Sequence, residues 1–149
     1  MKTVATIILM CFGVLISQGQ SQLKLSIKKG SDSPNYETEH EYLLELTNSS
    51  SVASNVIIST KNKECSNVKK LEQTEFQQVL LDKNKQAKVQ EIVIQPGKSV
   101  EFYVKLSRAN NAKLNTWNCT EIVAVSNEGK ALSNSIIIES LVPNPNNNN

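Results

Sequence analysis

From Leu23 to Leu141 the chain is written in short blocks in which apolar and polar side chains alternate, separated by clusters of Gly, Pro, Asn and Ser. A period of two marks a strand with one buried face. In the first block Leu23, Leu25 and Ile27 fall on one side and Lys24, Ser26 and Lys28 on the other, before a loop from Gly30 to Asn35. A second strand is expected from Glu41 to Thr47, with Tyr42, Leu44 and Leu46 sharing a face. A polar turn over Asn48 to Ser51 leads to a third, Asn55 to Thr60, whose Val56, Ile57 and Ile58 are β-branched and suit a buried strand.

In Gln95-Pro96-Gly97-Lys98, proline sets φ for one central turn position and glycine supplies the positive φ of the next. The run Val89 to Ile94 precedes it, and Val100, Phe102, Val104 and Leu106 alternate after it, which predicts a β-hairpin or a tight corner. Asn127-Glu128-Gly129-Lys130 likewise joins Asn118 to Ser126 with Ser133 to Leu141. Asn67 to Lys88 is ambiguous: Val68, Leu71, Val79 and Leu80 fit one side of a short helix, while Phe76, Gln78 and Leu80 fit an edge strand. A strand over Phe76 to Leu81 is the expectation. Together these elements predict an all-β fold, an Ig-like or fibronectin-like antiparallel β-sandwich of seven or eight strands over residues 20–142. Its core should include Leu25, Leu44, Leu46, Val56, Ile58, Phe102, Val104 and Ile138. The Pro/Asn tail 143–149 has nothing to bury and is expected to be disordered.

The N-terminus changes the picture by assigning a compartment. Lys2, an apolar run from Val4 to Ile16, and then Ser17, Gln18 and Gly19 follow the order of a secretory signal peptide, expected over 1–19 with the mature chain starting at Gln20. An apolar run of about 13 residues is shorter than the roughly 20 that cross a bilayer as a helix, so no stable membrane span is expected after cleavage. Cys11 lies mid-run, too early to carry a lipid, and leaves with the peptide. Removing Lys2 lowers the formal charge from +2 to +1. A near-neutral chain with Arg108 as its single arginine argues against nucleic acid as a partner.

Cys65 and Cys119 then remain, and in an oxidising compartment such a pair is expected to form a disulfide. Closing a loop of that length stabilises by about 4 kcal/mol on the chain-entropy view. Two free thiols or half of a metal site are the alternatives, but zinc needs two more ligands and His40 is the only histidine. No metal, cofactor or catalytic residue is therefore expected. His40, within Glu37-Thr38-Glu39-His40-Glu41, reads as a solvated surface histidine because no nucleophile motif accompanies it. Asp82-Lys83-Asn84 lacks the further carboxylates and glycine of a calcium loop, and no pair among the twelve Glu stands out. Lys61, Lys63, Lys69 and Lys70 flank Cys65 as a weak anion patch or as solubilising charges. Trp117 has two readings, a ring packed beside the disulfide in the core or an exposed platform for a sugar. Asn48-Ser49-Ser50 and Asn118-Cys119-Thr120 match the N-glycosylation pattern.

Three stretches also carry a resemblance. EYLLELTNSSSVASNVIIST (Glu41 to Thr60), IQPGKSVEFYVKL (Ile94 to Leu106) and the closing strands from Leu114 to Ile138 resemble the bacterial extracellular repeats called the conserved-repeat domain of unknown function eleven. More loosely they are similar to the cell-adhesion-related domain found in bacteria. The Lys/Gln-rich insert 67–88 and the Cys65/Cys119 pair depart from that pattern. The resemblance implies a non-enzymatic Ig-like module, secreted, periplasmic or at the cell surface, used for spacing or adhesion, with an extracellular protein or glycan as partner. The alternative is a carbohydrate-binding sandwich using Trp117, Tyr103 and Tyr36.

Overall fold

The structure is a computed structural model that describes residues 22–66 and 68–145; the expected signal peptide and the last four tail residues lie outside them. Its strands are β1 (Leu23–Lys29), β2 (Glu39–Asn48), β3 (Ser54–Lys63), β4 (Gln77–Asp82), β5 (Glu91–Ile94), β6 (Ser99–Ser107), β7 (Thr116–Val125) and β8 (Ile136–Val142). They form two antiparallel four-stranded sheets, β1-β2-β6-β4 and β5-β3-β7-β8. That is the strand order of an Ig-like sandwich, with β5 added beside β3. The alternations read from the sequence generate the core directly, since every second residue of each strand meets the facing sheet. All eight expected core residues are buried, and Phe102, Val104, Leu44, Leu46 and Val56 are no more than 1% exposed. Truncating Leu44 to Ala there should cost about 2–5 kcal/mol, because rigid neighbours cannot refill the space.

Four local outcomes differ from the alternation. Ile27 is 43% exposed, because the edge ladder bulges between Ile27 and Lys29 and a bulge bends the strand. Gln95 to Lys98 is a corner, not a hairpin: β5 belongs to the second sheet and β6 to the first. Gly97 takes φ 66° in the turn that Lys98 N–H closes onto the Gln95 carbonyl. The ambiguous insert holds both kinds of structure, a single 3-10 turn at Lys70–Glu72 and the strand β4. Pro143 and Asn144 are half-buried, so the packed chain runs past Val142 into the expected tail.

Polar side chains close the two ends of the sandwich. At one end, buried Asn48 donates to the Val52 and Ile94 carbonyls at 2.8 and 3.1 Å and accepts from the Ser50 N–H and hydroxyl. This joins β2 of the first sheet to β5 of the second. At the other end Asn62 pairs with both backbone groups of Phe76, accepting at 3.2 Å and donating at 3.0 Å, and also accepts from Asn118 and Gln78. Buried amides need such partners, because each unsatisfied group costs about 1–3 kcal/mol.

Candidate functional site

β3 and β7 lie side by side with Lys63 opposite Cys119, and two residues further on Cys65 turns back over the strand end. The Cα atoms of Cys65 and Cys119 are 5.4 Å apart and their sulfurs are bonded. Even-numbered β7 residues (Asn118, Thr120, Ile122, Ala124) face the core, so Cys119 and Trp117 point to the outer face of the second sheet. The disulfide thus ties β7 to the strap that follows β3, within one sheet, whereas an antibody-type bond crosses between sheets. Gln73 supports the strap by accepting from Cys65 N–H at 3.0 Å and donating to the Val68 carbonyl at 2.8 Å.

Trp117 is half-buried beside this bond, outside the core, where it lines a cavity of about 260 Å³ with Cys65, Val68, Cys119 and Glu139. Tyr103 lies on the outer face of the first sheet, 4.4 Å beneath the Lys85 ammonium, and Tyr36 is 68% exposed on the loop before β2. The three aromatics proposed for a sugar therefore do not converge on one surface.

His40 is buried, not solvated. Its Nδ1 is 3.3 Å from the Ser31 hydroxyl and its Nε2 is 3.2 Å from the Glu37 carbonyl. Both nitrogens thus hold the loop before β2 against the sandwich, and a substrate cannot reach the ring. Arg108 reinforces the same loop by donating to the Tyr36 carbonyl at 2.6 Å.

The lysines flanking Cys65 divide. Lys61 and Lys63 each meet the nearly buried carboxylate of Glu121 at 2.9 Å, so they neutralise it and leave little free positive charge. Those two hydrogen-bonded ammonium groups, Lys61 first, hold the Glu121 carboxyl below the usual carboxylate range. Lys69 and Lys70 remain exposed on the strap. Both glycosylation-type asparagines are buried: Asn48 is 0% and Asn118 1% exposed. Each donates its amide nitrogen to the fold, Asn118 to Asn62 at 2.7 Å and to the Thr74 carbonyl at 3.1 Å.

The two outer faces differ. On the first sheet Lys28 bridges Glu45 and Glu101, Lys83 reaches Glu101, Lys85 reaches Glu41, and Lys105 reaches Glu39. Lys28 and Lys83 push the Glu101 carboxyl down to about 2. On the second sheet Val93 is 59% and Ile137 39% exposed, Ile57, Val123, Val125 and Leu141 are half-buried, and charge is held in the Lys61 and Lys63 pairs with Glu121, which stands opposite Ile137. A cleft of about 470 Å³ also opens where β3 and β4 face each other across the edge of the sandwich. Nothing in the alternation signals it, because it arises from β5 being shorter than β3. Among the described residues no group of His, Cys, Asp and Glu is placed to hold a metal ion.

No protein-family model matches the sequence, and no curated protein is significantly similar to it. Solved structures are similar to the chain at low identity. A FixG-related protein from Vibrio parahaemolyticus superposes with a TM-score of 0.51 at 14% identity, covering 82% of this chain and 96% of that one. A copper-bound PCuAC domain from PmoF2 gives 0.43 at 15% identity, covering 83% and 94%. The PapD-like domain 7 of human CEP192 gives 0.42 at 6% identity, covering 97% and 99%. At 14% identity the likeness to the first is one of fold alone; by its own strands the chain is an all-β, Ig-like sandwich carrying one disulfide.

Proposed function

We propose that the chain is a non-enzymatic interaction module working outside the cytoplasm, secreted or at the cell envelope, that holds an extracellular protein or spaces its neighbours. The contrast between the outer faces carries this reading. Ion pairs cover the first sheet, whereas the second, apart from the Lys61 and Lys63 pairs with Glu121, presents Val93, Ile137 and several half-buried aliphatic side chains to solvent. Exposed aliphatic side chains gathered on one face of a folded domain suit a contact site better than a fully solvated wall. The Cys65–Cys119 bond supports an oxidising compartment, in keeping with the signal peptide expected over residues 1–19.

A photo-crosslinking residue placed at Val93 or Ile137 should yield adducts with extracellular protein in the secreting cell, and one placed at Tyr103 should not. Equal yields from both sheets, or none from the second, overturn the assignment. The glycan reading keeps one observation in its favour, the Trp117 ring lining an open cavity with Glu139. Glycan-array binding that is lost on Trp117→Ala would place that reading first.

A further inference from the structure

β5 covers only the first half of β3. Their register runs from Ser54 opposite Ile94 to Ile57 opposite Glu91, and the last bond on that side is Ile58 N–H to the Gln90 carbonyl at 2.9 Å. From Ser59 to Lys63 β3 is paired with β7 alone. Because Ile58 directs its N–H away from β7, antiparallel alternation turns the N–H and C=O of Thr60 and Asn62 the same way. Thr60 therefore offers a donor and an acceptor to the 470 Å³ cleft, with no strand beside it. An open edge of this kind is a template for an added strand.

The walls suit the alternating side chains of such a strand. Ile57 and Val125 form a shelf on the outer side, and Val79 and Leu80 of β4 form the opposite wall. One end is stopped by the crossover Lys88 to Gln90, held to the first sheet by Val89 N–H donating to the Leu80 carbonyl at 3.1 Å. The other end is open, and a further cavity of about 300 Å³ continues beside Asn62, Lys63 and Glu64. Lys88, at the stopped end, is the one charged side chain lining the cleft.

Direction follows from charge. A strand added antiparallel to β3 travels from the Lys63 end toward the stop, so its last residue would stand at Lys88. A parallel strand would bring an N-terminal ammonium to the same cation. We infer that this cleft captures the C-terminal residues of a partner polypeptide, added as an extra strand antiparallel to β3 with the terminal carboxylate at Lys88. The inference rests on the reading of the chain as an interaction module and names the kind of segment bound.

A heptapeptide library displayed with free C-termini supplies the probe: peptides retained by the immobilised protein are synthesised with free and with amidated ends and titrated by fluorescence anisotropy. Amidation should weaken binding at least tenfold. Lys88→Gln should do the same with an unchanged melting temperature. Thr60→Pro, which removes a donor the β7 ladder does not use, should abolish binding; if it fails to fold, Val79→Asp in the wall should have that effect. Equal affinity for amidated peptides, or an unaffected Lys88→Gln, overturns the carboxylate capture while leaving the interaction module standing. Recovery of no peptide overturns the cleft as a strand site, and crosslinking at Val93 and Ile137 then decides the module separately. Self-association in sedimentation that Val79→Asp abolishes overturns it in favour of a second copy.

Discussion

Asn134 acts as the missing strand neighbour of Leu25: its side chain accepts from the Leu25 N–H at 2.9 Å and donates to the Leu25 carbonyl at 3.0 Å. One side chain from the segment leading into β8 thereby satisfies both backbone groups of a buried residue on the edge of the opposite sheet. Asn134→Ala leaves a donor and an acceptor unpaired, and should lower unfolding free energy by about 1–3 kcal/mol. Urea denaturation checks this. A midpoint equal to that of the parent would show that water replaces the amide without cost.

Because the disulfide lies on the outer face of the second sheet, losing it should loosen the strap more than the core. Cys65→Ser is expected to cost about 2–5 kcal/mol. Hydrogen exchange should accelerate first in residues 64–74, while β2 and β6 stay protected. Uniform loss of protection would show that the bond holds the sandwich as a whole.

Acid should weaken the first sheet. The Glu101 carboxyl sits at about 2 in the folded chain, below its ordinary value of 4.5, so the ion pairs with Lys28 and Lys83 favour its charged form. Their contribution is fully present above about 4.5 and is lost as pH falls toward about 2. Melting temperature should therefore decline across that window, and Glu101→Gln should flatten the decline. An identical acid limb in the variant would remove Glu101 from the explanation. Both lysine partners are exposed, so 1 M salt should also shrink the difference between parent and variant.

Expression through a eukaryotic secretory pathway tests the buried asparagines. Folded protein should carry no glycan at Asn48 or Asn118, because both amide nitrogens are already donated inside the fold. Intact mass before and after enzymatic deglycosylation measures this directly. A folded species with glycan at either position would mean that the end of the sandwich opens.

The alternations at Leu44/Leu46 and Phe102/Val104 were legible because a strand's side-chain period is fixed at two, so a buried face writes itself into the residue order. The Cys65–Cys119 pairing was legible from count and compartment. Its position on the outer face was not, because two cysteines show nothing about which way a strand turns. His40 looked solvated among its acidic neighbours, yet the loop from Ser31 to Glu37 folds over it and supplies a hydroxyl and a carbonyl. Those two contacts are local, but the loop is also held by Arg108, which is distant in sequence and donates to the Tyr36 carbonyl. The cleft beside β3 was equally invisible, since it reflects a difference in length between two strands that pair only in three dimensions.

The ion-paired and apolar faces share one further property, the direction in which tension would run. β1 enters beside Ser133 at one pole, and β8 leaves beside Thr116 at the other. The ten residues of β7 set these poles about 33 Å apart. A pull on the two ends drags β1 and β8 along their own axes, so the hydrogen bonds of each ladder resist together and do not unzip one at a time. The Asn134–Leu25 contact lies at the pole where β1 enters, beside the first bonds to feel that drag. Force applied to the two ends would thus run along the strands of both sheets and leave their outer faces out of its path.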